Sequence, residues 1–279
     1  MTASARRLLL YGVGVVLLAA LAWLGFVRRV PADAGTRLSG ARLHASVGNF
    51  DQALKTCDEL LEEQPDCIDA QVFRATFLSM AERHEEALAA YDEVLAVAAD
   101  SFDEPTRRDL VQDRASVLLA AGRLDEFEEA RAELLRDPAD PRPYVLDGLR
   151  AETEGDWDLA AEAYRAVLER SPDDARTDKR LLFSLLTAGD SALNEGDARR
   201  AAARFDEARR LRADWVPAHL SAAEARRRMG EQEAAVNALA DAVALDPEAV
   251  RDLLASDPAA WKSFHDREVL AGLCPETSH

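Results

Sequence analysis

The chain has 279 residues, with 34 lysines and arginines against 52 aspartates and glutamates, a formal charge of −18. Residues 30–279 carry all 52 acids and only 30 of the bases, a surface that repels phosphate backbones and anionic lipid and argues against nucleic acid as a partner. A hydrophobic share of 48% without a low-complexity tract excludes wholesale disorder.

Residues 1–7 form a basic tail with Arg6 and Arg7, and residues 8–27, LLLYGVGVVLLAALAWLGFV, are an uncharged, mostly apolar run. As a helix this run spans roughly 30 Å, the thickness of a bilayer core. Tyr11 and Trp23 lie toward its ends and Arg28 and Arg29 close it, the flanks expected of a retained single-pass anchor. The rival is a cleaved signal peptide, for which Ala32-Asp33-Ala34 offers small residues, but the run exceeds a removable h-region and Arg28-Arg29 stands where a neutral segment belongs. Residues 28–33 read as a juxtamembrane linker. Basic residues are nearly balanced across the run, Arg6 and Arg7 against Arg28, Arg29, Arg37 and Arg42. A cytoplasmic N-terminus is expected, because a short basic tail stays inside easily while a long domain is exported with little regard to charge. That expectation puts the remainder of the chain outside the cytoplasm, with the cytoplasmic arrangement left open.

From residue 34 the chain repeats itself. Gly48, Gly122, Gly155, Gly196 and Gly230, with Glu82 in the glycine-free copy, align six 34-residue windows: 34–67, 68–101, 108–141, 141–174, 182–215 and 216–249. Seven places before each mark stand Ala41, Ala75, Ala115, Gly148, Gly189 and Ala223; five places after it, Ala53, Ala87, Phe127, Ala160, Ala201 and Ala235. Nine places after it come Cys57, Tyr91, Arg131, Tyr164, Phe205 and Leu239, and seventeen after it Pro65, Ala99, Ala139, Pro172, Ala213 and Pro247. Small residues facing each other let two antiparallel helices approach closely. The glycine supplies a left-handed residue that ends the first helix, the bulky place fills space against the neighbouring unit, and proline or alanine stops the second helix.

This pattern resembles the tetratricopeptide repeat, over about three quarters of the chain. The window at 141–174 is the fullest, with Tyr144, Gly148, Gly155, Trp157, Ala160, Tyr164 and Pro172. The resemblance implies an all-α solenoid of about six helix hairpins over 34–249; the apolar run at 8–27 would put one transmembrane helix before it. Phe127, Arg131 and Glu82 depart from the family pattern, so local irregularity is expected in the second and third windows. Residues 102–107 and 175–181 interrupt the period, and a lengthened turn or helix is the expected form of each, with a partner-contacting lip as the other. Residues 250–279, with Leu253, Leu254, Trp261, Phe264, Val269, Leu270 and Leu273, suit short helices capping the last repeat.

Little in the chain promises chemistry. His44, His84 and His219 fall on packing places, and no His-x-x-x-His, Cys-x-x-Cys or phosphate-cradling glycine loop occurs. No metal, cofactor or small-molecule substrate is expected, and no enzyme. Cys57, Cys67 and Cys274 are an odd set, which leaves the redox compartment and a Cys57–Cys67 bond open.

What remains is binding. In the resembled family the first helices line a concave groove, and the ligand-facing places carried onto this chain include Arg42, Val72, Met80, Gln112, Val145, Leu149, Leu186, Asn194, Arg227 and Arg228. Lysine is missing from these places, so a carboxylate-clamping mode is not expected; a hydrophobic stretch of another protein flanked by charge fits better. The expected function is a membrane-tethered scaffold or adaptor for a protein segment, the alternative an extracytoplasmic assembly chaperone akin to cytochrome c maturation or translocon-associated factors. Alanine and arginine richness suggests a bacterial source.

Overall fold

Each predicted window becomes a helix hairpin, because the chain meets the same backbone requirement every time it must turn. In the computed structural model, which describes residues 34–98, 102–264, 267, 270 and 273, the first helix of every hairpin ends on a residue with positive φ. These are Gly48, Gly122, Gly155, Gly196 and Gly230 at φ 73–84°, and Glu82 at 58°. The next two amides close the turn in the same way each time: Gly48 N donates to Ala45 O (3.0 Å) and Asn49 N to His44 O (2.9 Å). Gly196 with Asp197 and Gly230 with Glu231 repeat the pattern, a Schellman closure that satisfies carbonyls the helix leaves orphaned. Glu82 makes the same closure through Ser79 and Leu78. The irregularity expected at that turn is therefore absent, and the chain accepts a left-handed non-glycine residue there.

The described helices fall into two units, divided between Phe102 and Asp103, within the first of the two spacers. The first unit holds α1 (Ala34–Ser46), α2 (Phe50–Glu63), α3 (Ile68–Met80) and α4 (His84–Ala98). The second holds α5 (Glu104–Ala120), α6 (Leu124–Leu134), α7 (Arg142–Glu154), α8 (Trp157–Arg170), α9 (Ala175–Asn194), α10 (Ala198–Leu211), α11 (Val216–Arg228) and α12 (Gln232–Leu245). It closes with α13 (Pro247–Ser256), α14 (Pro258–Trp261) and one 3-10 turn, Lys262–Phe264. No strand occurs among the described residues. In three hairpins an asparagine or aspartate directly after the turn glycine starts the second helix: Asn49, Asp156 and Asp197 each accept from the amide three residues on.

Both spacers become helix. Asp103 caps α5 through the Thr106 amide at 3.0 Å, so this helix starts four residues before its window. Asp174 accepts from the amides of Arg176 and Thr177 and starts α9 at Ala175, giving a 20-residue helix with Thr177 and Leu181 buried.

The small-residue column lets the hairpins close. The ring of Tyr164 lies over Gly148, and that of Phe205 over Gly189, in the same hairpin; a Cβ on either glycine would sit 2.4 Å and 2.3 Å from ring carbon. The bulky place thus fills the space inside its own hairpin as well as towards the next unit, where Phe205 shares a core with Ala222 and Leu239. Alanine at Gly189 gains about 1 kcal/mol of helix propensity, whereas overpacking a fixed core costs about 1–3 kcal/mol. The Phe205 ring is fully buried and has nowhere to go. Gly189→Ala is therefore expected to lower stability by about 2 kcal/mol in a urea melt. Phe205→Leu should cost less in that background than in the parent chain.

The third window swaps two roles. Phe127, in the small-residue place, is fully buried, while Arg131, in the aromatic place, makes a two-pronged ion pair to Asp147 of α7. A charge-assisted fork does there what an aromatic ring does in the fourth and fifth windows.

After α12 the chain folds back over the last hairpin. Val250, Leu254, Trp261, Phe264 and Leu270 are buried in one cluster with Ala235, Leu239 and Ala242, and Leu253 and Leu273 pack at its margin. No described helix is long and apolar enough to cross a membrane. The proposed anchor at residues 8–27 lies outside the described residues, as do Val269 and Cys274.

Candidate functional site

The first helix of each hairpin carries the candidate partner-binding places. In the first unit Arg42 is exposed and its guanidinium lies 5.8 Å from the centre of the Phe73 ring. Val72 is half-buried, its backbone carbonyl accepting from the Thr76 hydroxyl at 2.9 Å, and Met80 is 48% exposed. One unit thus offers a stacked cation and a soft thioether on α1 and α3.

In the second unit the middle is apolar. Val145 and Leu149, one turn apart on α7, are half-buried. Leu186 on α9 is also half-buried and packs against both large core clusters, so part of its surface covers neighbouring helices. Phe183, one turn before it, is 56% exposed and meets Trp157 edge-on at 5.5 Å with an interplanar angle of 81°, the geometry that aromatic quadrupoles favour. Trp157 also borders a polar cleft of about 330 Å³ with Ser191, Glu195 and Arg200. Phe183 is the functional candidate that the sequence reading missed. The signal was present: it stands in the second place of its window, a ligand-facing place of the resembled family.

Polar groups flank this middle. Gln112 on α5 is half-buried and its backbone carbonyl accepts from Ser116 at 3.0 Å; Asn194, near the end of α9, is exposed. Glu152 is already engaged, accepting from Arg180 at 2.6 Å and from the Tyr164 hydroxyl at 2.8 Å. Arg227 and Arg228 are engaged too. Both donate to Glu224, at 2.7 and 2.6 Å; Arg228 reaches the Leu193 carbonyl at 3.1 Å and Arg227 lies 5.3 Å from the Trp261 ring centre. Burial pushes the Glu224 carboxyl up, but these two guanidinium bonds outweigh it and hold it below its ordinary value. The two arginines thus tie α11 to α9 and to the cap, and only part of their surface faces outward.

Asp113 on α5 is exposed along part of its surface, yet the protein crowded around its carboxyl pushes it up to about 6, Asp109 adding to the push and Arg176 opposing it. The folded state therefore binds more protons than the unfolded chain between the ordinary aspartate value, about 3.9, and about 6. Stability from this group is present below that window and is lost as pH rises through it. Asp113→Asn is expected to match the parent chain in thermal midpoint near pH 4 and to exceed it above about pH 6.5.

Cys57 is buried and its thiol is pushed up to about 11 by burial, with Asp58 adding to the effect. It and Cys67 are free thiols, and a protonated buried thiol behaves as a small hydrophobe. Among the described residues no three His, Cys, Asp or Glu side chains are grouped to hold a metal ion.

Comparison with known proteins places this geometry. The Tetratricopeptide repeat family model matches residues 38–104. No curated protein sequence matches the chain. Among solved structures, the chain is similar to the APC/C hetero-tetramer Cut9–Hcn1, at 16% identity over 85% of this chain and 44% of that one, with a TM-score of 0.51. It is also similar to PilW, a type IV pilus biogenesis factor, at 16% identity over 86% and 98% with a TM-score of 0.48. A mutant of MamA aligns at 22% identity over 64% and 97%, with a TM-score of 0.39. The likeness to Cut9–Hcn1 extends to the fold, an all-α helical repeat.

Proposed function

We propose that this chain, which carries tetratricopeptide repeats, is a scaffold or adaptor that holds a segment of another protein against its first helices, tethered to a membrane through residues 8–27. The observation that carries the reading is Phe183, an aromatic side chain 56% exposed in a ligand-facing place, buttressed by Trp157 and standing one turn from Leu186. Aromatic anchors of this kind bring large contact area at low entropic cost. Val145 and Leu149 extend the apolar middle, and Gln112 and Asn194 flank it. The chain contributes no chemistry of its own. Tethering raises the local concentration of the repeats near membrane machinery and restricts the geometry of encounter.

The test is photo-crosslinking in native membranes from a photoreactive phenylalanine analogue at position 183. A discrete crosslinked partner is expected, and its capture should fall about tenfold or more in Val145→Glu. Diffuse labelling, or capture indifferent to Val145→Glu, overturns the groove. A reporter fused to the C-terminus and active only outside the cytoplasm should be active, since the repeats are proposed to lie there.

A further inference from the structure

The chain is acidic as a whole, but residues 198–228 hold nine arginines against four acids, a net +5 inside a protein of −18. Seven of the nine are held in ion pairs, three of them with acids outside the stretch, Glu195, Asp158 and Asp241; Arg199 and Arg210 are the two left over. Arg210, at the end of α10, is exposed and has no ion-pair partner among the described residues. It borders an open cleft of about 530 Å³ between the C-terminal ends of α10 and α12 and the side of α11, a volume in the range of ligand sites.

The floor of this cleft is locked. His219 is 4% exposed; its Nδ1 lies 3.1 Å from Arg209 Nε and its Nε2 2.8 Å from the Ala213 carbonyl oxygen. Both ring nitrogens are thus engaged, and the ring is pinned from two sides. Arg209 reaches on to Asp241 at 2.6 Å and to Asp206 at 3.3 Å, and Asp206 also takes Arg226. The floor thus spends two arginines on two aspartates and holds its own side chains in place. The wall beside Arg210 is different: Ala213, Ala244 and Leu245 line it, and Leu245 is 43% exposed.

We propose that this cleft is a second docking site, separate from the first-helix face, for an extended protein segment in which an acidic side chain adjoins an aliphatic one. The acid meets Arg210, the cation the floor leaves unspent, and the aliphatic group lies on Leu245 and the two alanines. Charge complementarity selects the partner: Arg210 keeps an unpaired positive charge at this cleft, which the ion-paired arginines around it do not offer to an acidic side chain. One spare cation beside an apolar wall suits a polypeptide, whereas a nucleic acid needs a run of cations to neutralise successive phosphates.

The test measures binding of a short fluorescein-labelled peptide of alternating glutamate and leucine to the full-length protein in detergent micelles, by fluorescence anisotropy. Saturable binding is expected, weakened about tenfold by Arg210→Glu and more modestly by Leu245→Ser. Arg136→Glu, the same charge change at an exposed arginine in the turn that follows α6, should leave it unchanged, and all three variants should retain the parent circular-dichroism spectrum. The proposal is overturned if no binding is seen, if Arg210→Glu leaves binding intact, or if polyglutamate without leucine or the lysine-for-glutamate peptide binds equally well. None of these outcomes bears on capture from position 183, so the two readings fail independently.

Discussion

Trp261→Ala is expected to lower the unfolding free energy by about 3–5 kcal/mol, the range for emptying a large aromatic site in a core. Trp261 is 1% exposed, meets Phe264 edge-on at 5.2 Å and shares a cluster with Leu239, Val250 and Leu254. A helical repeat cannot bury its last apolar face alone, so a closing segment is needed. Residues 247–264 supply it through Trp261. Its removal also strips Arg227 of the ring 5.3 Å from its guanidinium, leaving that side chain to Glu224. A urea titration that follows helicity should show an earlier midpoint, with the C-terminal hairpin unfolding first. An effect below about 1 kcal/mol would mean the cap merely lies on the last repeat.

Asp140→Ala is expected to cost about 3 kcal/mol, near the lower edge of what breaking a buried ion pair costs. The Asp140 side chain is 1% exposed and sits between two arginines, Arg108 Nε at 2.8 Å and Arg142 Nη1 at 3.1 Å; it also accepts from the Arg142 amide at 2.9 Å. The two guanidinium groups are largely buried, so losing their shared carboxylate leaves two charges short of water. Their other partners soften the loss, Arg108 keeping Asp137 and the Leu134 carbonyl, and Arg142 keeping Asp109. Asp140→Asn, which keeps the amide-facing oxygen and loses the charge, should fall between the parent chain and Asp140→Ala in the same titration. Equal stability of all three would show that the carboxylate contributes nothing to joining α5 and α7.

The candidate site was less legible than the fold. Val145, Leu149 and Leu186, named from the periodic places, lie on first helices, but their exposure depends on which neighbour happens to cover them. Leu186 turns part of its surface into two cores, while Phe183, three residues earlier, stays open against Trp157. Arg227 and Arg228 carry the charge their places suggest, yet Glu224, Leu193 and Trp261 had already claimed much of it. The basic cleft gave only an excess of arginines in the sequence; that Arg209 and Arg226 are spent and Arg210 is not follows from where Asp206 and Asp241 lie.

Local demands are written in consecutive residues, and the sequence by itself determined them: the left-handed turn at the five glycine marks, the Asn or Asp caps that follow three of them, and the small residues that let two helices touch. Glu82 obeyed its column although its side chain did not advertise it, because the backbone closure is shared by every hairpin. Only the tertiary structure decided which distant groups meet: Arg131 with Asp147, Asp140 with Arg108, Arg227 with Trp261. Such pairs join residues 16 to 34 positions apart whose encounter depends on the rotation of one hairpin on the next. A turn is set by the torsions of a few residues, whereas a partner across hairpins is set by the sum of many small rotations that no single column of the repeat records.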